Sequence, residues 1–288
     1  MKLYYTGAWR ARFCYTIFVM KKIKIATIQS KVFAEKSDNI KNLIRLAEQV
    51  SGADIIVLPE MWNCPYKAPL FPIYAEPEGG ETWRAMSSLA KARSIYLVGG
   101  SIPEVDEEGH VYNTCYIFGR NGDQIGKHRK VHLFDVNFGD NPFHESDTLT
   151  GGDSFSTFET EWGKMAADIC FDVRFPEGMR MQALAGARII FLPAAFMVKT
   201  GEAHWDMNLR MRAVENQVFF VADAPARDAS VGYEAWGHSM VIDPWGSVLT
   251  DMGEAEGVAV TEIDLDRIEE VRAELPLMSA RRTDVYEL

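Results

Sequence analysis

The chain is 288 residues long, 47% hydrophobic and 25% charged, with 41 acidic against 30 basic side chains and a formal charge of −11. That balance describes a globular protein with room for a large core. It argues against nucleic acid, since phosphate binding needs clustered Lys and Arg and no basic block is longer than Lys127-His128-Arg129-Lys130.

Residues 1–20 stand apart. Phe13 to Met20 is an apolar run behind Arg10 and Arg12, too short to span a bilayer and without a small-residue cleavage site before Lys21-Lys22. The segment reads as an N-terminal extension, with a mitochondrial-type presequence, a weak secretory signal, or a true start at Met20 as the alternatives. No membrane partner is expected. From 21 to 288 the pattern is a single domain of alternating strands and helices, with no linker rich in Pro, Gly or Ser to divide it.

A strand from Lys22 to Gln29 is followed by a helix capped by Ser37-Asp38, with Ile40, Leu43, Ile44, Ala47 and Val50 at helical spacing and Gly52 as its stop. Asp54 to Glu60 is a continuous apolar strand ended by proline, the pattern of a strand covered on both faces. A helix is expected at 81–93, then strands at 95–99, 112–118, 155–158 and 164–170. A helix near 176–186, a strand at 188–193 and a helix from about His204 to Asn216 come next. Strands at 218–222, 239–242 and 247–250 precede a final strand and helix across 258–274. Ala53-Asp-Ile-Ile-Val-Leu-Pro-Glu60 and Ala187-Arg-Ile-Ile-Phe-Leu-Pro-Ala194 agree at five of eight positions, and each follows an amphipathic helix. Two equivalent halves whose sheets pack face to face would produce this echo, as would chance similarity between two buried strands.

The chemistry-bearing residues lie near strand ends. Cys170 closes an apolar strand just before Pro176 can open a helix. There a thiol and the Phe171 backbone N–H face the same space, although a cysteine in such a place is commonly buried packing. Glu60, between Pro59 and Met61-Trp62, is placed for partial desolvation and general acid–base work, or is a solvated strand-end carboxylate. Lys130 lies in an alternating run, as an inward-facing cation for an oxyanion or as part of a solvated edge strand. Glu145 is close enough in sequence to hold that lysine protonated. A metal hydrolase built on His128, His132 and Glu145 is the rival enzyme class; the i, i+4 spacing of the histidines suits a helix where the pattern favours a strand. The four cysteines Cys14, Cys64, Cys115 and Cys170, irregularly spaced and without a Cys-x-x-Cys pair, form neither a disulfide framework nor a zinc site, so a reducing, cytoplasmic setting is expected.

Leu58-Pro-Glu60, Arg129-Lys130-Val-His-Leu-Phe134 and Ile169-Cys170-Phe-Asp-Val-Arg-Phe-Pro-Glu177 resemble, in order, the three signature segments of the nitrilase superfamily of carbon–nitrogen hydrolases. Asn63-Cys64-Pro-Tyr66, Gly152 to Phe158, Gly201 to Trp205, Arg212 to Gln217 and Trp236 to Ser239 are similar to its omega-amidase branch. Cys64 departs from the serine usual in that branch, and Phe171 from the tyrosine. The resemblance covers about Lys22 to Tyr286. It implies an α/β fold, the four-layer αββα sandwich of the nitrilase type, and pairing through outer helices as a homodimer or higher homo-oligomer. It also implies hydrolysis of a small-molecule amide without metal or organic cofactor. By the same resemblance, Glu60, Lys130 and Cys170 are the catalytic triad and Glu145 the additional glutamate. Phe171 supplies a backbone donor, and Arg174 and Tyr66 are the candidates for a substrate carboxylate. A salt bridge from Arg174 to Asp172 or Glu177 is the alternative for that arginine. Deaminated-glutathione amidase, N-carbamoyl amidohydrolase and a non-catalytic binding protein on the same fold are the other functional readings.

Overall fold

The computed structural model describes residues 22–138 and 141–286; the N-terminal extension expected at 1–20 lies outside them. The first half contains β1 (Lys22–Gln29), α1 (Lys36–Gln49), β2 (Ile55–Val57), a short α2 (Phe71–Tyr74), α3 (Glu81–Arg93), β3 (Tyr96–Val98), β4 (Ile102–Val105), β5 (Val111–Phe118) and β6 (Gln124–Arg129). A hairpin of β7 (Asp135–Phe138) and β8 (Asn141–His144) leads into β9 (Thr157–Thr160), β10 (Gly163–Ala167), α4 (Pro176–Leu184), β11 (Ile189–Pro193) and α5 (Val198–Asn216). The chain closes with β12 (Phe219–Asp223), β13 (Met240–Ile242), β14 (Val248–Asp251), β15 (Gly257–Asp264) and α6 (Asp266–Glu274).

The strands form two large sheets ordered β15-β1-β2-β3-β5-β4, with β6 also on β5, and β14-β13-β12-β11-β10-β9. In the first, β1, β2 and β3 are parallel; in the second, β10, β11 and β12 are. Each triplet is flanked by antiparallel strands, and its middle member, β2 or β11, carries one copy of the repeated Ile-Ile sequence. The echo therefore marks equivalent positions in two halves.

Alternation along β1 and β2 explains the layering. Ile23, Ile25, Ile55 and Val57 enter a core shared with Met165, Ile189, Phe191 and Phe219 of the other sheet. Ala26, Ile28, Ile56 and Leu58 point the other way, onto Leu43, Leu46 and Ala47 of α1 and Met86 and Ala90 of α3. Met179 and Ala183 of α4 and Trp205 and Leu209 of α5 cover the second sheet. The result is helix, sheet, sheet, helix.

Three expectations need correction. Ser37 and Asp38 do not cap α1: Glu35 is the cap, and its carbonyl takes the Asp38 and Asn39 amides at 3.0 and 3.2 Å. Helix α5 begins at Val198, six residues before His204. Gly201 sits so close to Trp236 that a Cβ would come within 2.2 Å of its ring, so this helix carries a glycine of weak helix propensity for the sake of that packing. Strand β10 stops at Ala167, and Cys170 opens a 3-10 turn, Cys170–Arg174.

Candidate active site

Glu60 follows β2 at the carboxyl end of the parallel strands, where open α/β sheets place their ligands. Met61, at φ 49°, turns the chain sharply, its amide donating to Ser101 Oγ at 3.1 Å. Gly100, at φ 63°, lets the loop after β3 lie against this turn, because a Cβ there would be 2.1 Å from the Pro59 carbonyl oxygen. The local geometry drives Glu60 into the interior, where it is fully buried.

Around it lies a buried cluster of charges. Lys130, immediately after β6, is anchored by its amide to Asn113 O at 2.9 Å. Its Nζ lies 2.8 Å from Glu60 Oε1 and 2.9 Å from Glu145 Oε2, all three side chains being fully buried. Asn113 Nδ2 donates to Glu60 Oε1 at 2.8 Å, and the Tyr66 hydroxyl donates to Glu145 Oε1 at 2.6 Å. Glu145 Oε2 also accepts the Phe134 amide at 2.7 Å. Glu60 Oε2 has no hydrogen-bond partner within the protein among the described residues. Burial raises the Glu60 carboxyl above its ordinary value; Lys130 opposes the rise and Glu145 adds to it. Burial pulls Lys130 down, but the carboxylates of Glu145 and Glu60 outweigh it and keep the ammonium charged.

Cys170 faces this cluster from the second sheet. Its φ of 45° is a left-handed conformation costing on the order of 1–3 kcal/mol for a side chain with a Cβ, so the surroundings must hold it there. Burial and then the Glu60 charge push the thiol well up, while Lys130 and the Ala195 N–H pull it down. The net effect favours the protonated thiol over the thiolate.

A small, narrow pocket lies beside the sulfur, lined by Cys170, Phe134, Phe171, Arg174, Ala195, Phe196 and Thr200. Arg174 Nη1 lies 3.3 Å from His204 Nδ1, and its guanidinium stands 4.9 Å over the Phe196 ring. No carboxylate pairs with it among the described residues. The alternative salt bridge to Asp172 or Glu177 does not form among the described residues, and Asp172 is already taken by other donors. Its Oδ1 accepts the His132 amide at 2.9 Å and lies 2.8 Å from His132 Nδ1; its Oδ2 accepts the Ile169 amide at 3.2 Å and lies 3.0 Å from His128 Nε2. His128 and His132 thus meet on Asp172 rather than on Glu145, as the metal-hydrolase reading required. Among the described residues, no group of three or more His, Cys, Asp or Glu is arranged to hold a metal ion.

The structure brings Glu60, Lys130, Glu145, Tyr66 and Cys170 together, and sets Phe171 and Arg174 on the cavity beside the sulfur. The Tyr66 hydroxyl lies on the Glu145–Lys130 pair. Asn113, Ala195, Phe196, Thr200 and Tyr233, whose hydroxyl donates to the Ala195 carbonyl, were not singled out from sequence. Asn113 carried a signal: with Thr114 it is a polar pair at the start of the buried stretch of β5. Thr200 did not, since it fell ahead of the expected helix start.

The sequence profile of the carbon–nitrogen hydrolase family matches residues 24–273. The chain is 46% identical to omega-amidase NIT2 of Mus musculus over 270 residues, covering 93% of this chain and 98% of the mouse protein. It is 44% identical to omega-amidase NIT2 of Homo sapiens over the same length, with the same coverage. Its fold matches the crystal structure of Saccharomyces cerevisiae Nit3, a member of branch 10 of the nitrilase superfamily, with a TM-score of 0.84 and 38% identity over 92% of this chain and 98% of that one.

Proposed function

The chain belongs to the carbon–nitrogen hydrolase family, and from that premise we propose that it is an omega-amidase, an enzyme that hydrolyses the terminal amide of short dicarboxylate monoamides such as alpha-ketoglutaramate and alpha-ketosuccinamate. The observation that carries this substrate class is Arg174. A half-buried guanidinium with no carboxylate partner among the described residues, in the same small pocket as the Cys170 thiol, is a seat for the free carboxylate of a substrate whose other end is the scissile amide.

In this reading Glu60 takes the Cys170 proton as the sulfur attacks the amide carbon. Lys130 and the Phe171 N–H meet the charge on the tetrahedral oxygen. Collapse breaks the carbon–nitrogen bond, and Glu60 passes its proton to the departing ammonia. A thioester remains. Glu60 then removes a proton from water, hydroxide adds to the thioester carbon, and the acid leaves as the proton returns to sulfur. Glu145 and Tyr66 hold Lys130 in place without exchanging protons with the substrate.

Two results test the proposal. Ammonia release from alpha-ketoglutaramate exceeds that from deaminated glutathione and from N-carbamoyl-beta-alanine. Arg174→Lys raises KM for alpha-ketoglutaramate by about tenfold or more, with a far smaller change for neutral propionamide. An equal loss on both substrates would assign Arg174 to the turn that carries Cys170.

The role of Glu60 has a pH signature. It must be ionised to accept the thiol proton, so kcat/KM falls on the acid side with a midpoint above an ordinary glutamate's 4.5. Glu145→Gln removes a negative neighbour that raises the Glu60 carboxyl, so the limb moves to lower pH in that variant. An unmoved limb assigns the titration to another group.

A homodimer is part of the same proposal. Helix α5 exposes Met207 and Met211 beside Trp245, an apolar face that a second copy would cover. The mass of the intact chain in solution decides it.

A further inference from the structure

We infer that Asp172 is a positioning residue that locks Lys130 and Cys170 into one register, gripping the lysine through the two histidines that flank it. The inference rests on the assignment of Cys170 and Lys130 as reacting groups.

Asp172 lies two residues after Cys170 in the same 3-10 turn and is completely buried. Its four hydrogen-bond contacts join two separate stretches of chain. The Ile169 amide closes the turn on the near side of the nucleophile, while His128 Nε2 and the amide and Nδ1 of His132 come from positions two before and two after Lys130. One carboxylate therefore ties the lysine segment, which leaves β6 of the first sheet, to the cysteine turn at the end of β10 of the second. Burial pushes its carboxyl up, but these donors and the charge of His128 outweigh it and hold the group far below the usual carboxylate range. Burial lowers the His128 imidazole, but the hydrogen bond and charge of Asp172 outweigh it and leave His128 raised. Phe175 stacks on the His132 ring at 3.7 Å, fixing the plane in which Nδ1 meets the carboxylate. Nothing in this arrangement touches the cavity beside Cys170. Its effect falls on the relative placement of sulfur and ammonium, and it answers what holds Cys170 at positive φ.

The two histidines use different ring nitrogens, and this makes the inference testable by isosteres. A glutamine amide nitrogen reaches the place of Nε2, and an asparagine amide nitrogen the place of Nδ1. His128→Gln and His132→Asn therefore keep kcat within about threefold of wild type. His128→Ala, His132→Ala and Asp172→Asn lower kcat by about 100-fold while KM for alpha-ketoglutaramate stays within about twofold, because misplacement by an ångström costs the chemical step and leaves binding. Alkylation of Cys170 by iodoacetamide slows in the alanine variants and not in the isosteres.

Circular dichroism identifies any variant that does not fold. If Asp172→Asn is one of these, the comparison between isosteres and alanines still decides. Isosteres no better than alanines, or folded alanine variants with wild-type kcat, overturn the inference. Full amidase activity in Cys170→Ala would instead overturn the catalytic assignment beneath it, so the two failures are distinguishable.

Discussion

Replacing Cys170 by alanine is expected to lower amide hydrolysis by about four orders of magnitude or more while leaving the fold intact. The covalent step has no substitute in this site: of the described cysteines, Cys64 and Cys115 are buried thiols pushed up by desolvation, and neither lines the cavity beside Arg174. Alanine at 170 removes one sulfur from a turn whose hydrogen bonds belong to Ile169 and Asp172, so the circular dichroism spectrum should match wild type. Cys64→Ser is the matched control. Cys64 lines the cavity on the Glu60 side and should tolerate serine with little change in rate. An acid-quenched sample of the wild type during turnover should carry the acyl group on the peptide containing Cys170. An inactive Cys64→Ser beside an active Cys170→Ala would reverse the assignment.

Lys130→Met is expected to damage both activity and stability. Activity falls by about 10²–10³ or more, since the oxyanion loses its cation. Read from sequence alone, this substitution should abolish activity and leave folding untouched, but the geometry changes that expectation. Glu60 and Glu145 are both fully buried and share Lys130 as their common cation. Without it two carboxylates face each other in the interior, and removing one partner of a buried pair costs about 3–5 kcal/mol. The sign of the pH dependence follows. The Glu60 carboxyl, raised above its ordinary value, destabilises the folded state once the pH exceeds its unfolded value, so the deficit of Lys130→Met shrinks as the pH falls and Glu60 takes up a proton. Glu60→Gln is the contrast: it leaves Lys130 with Glu145, and should melt close to wild type while losing activity. Chemical denaturation of the three proteins at two pH values checks both statements. A Lys130→Met protein as stable as wild type at neutral pH would show that the carboxylates find another route to neutrality.

The sequence alone determined the alternation of strands and helices and the identity of Glu60, Lys130 and Cys170 as candidates, and it offered the echo between β2 and β11 that the sheet order turned into equivalent positions. Those features are local: apolar runs, a proline stop, a cysteine before a helix start, and ordered motifs whose residue types the chemistry requires. The tertiary structure decided what depends on contact between distant segments. Gly201 has no room for a side chain because Trp236 lies against it. Asp172, which sequence reading offered as a partner for Arg174, is taken by His128 and His132, more than 35 residues earlier in the chain. That leaves Arg174 beside Cys170 with no carboxylate partner among the described residues. Tyr66 meets Glu145 across 79 residues of sequence, and Asn113 meets Glu60 across 53. Hydrogen-bond partners at such separations are chosen by the packing of two sheets, a global result that no window of sequence contains, whereas strand and helix signals are written within a few turns of chain.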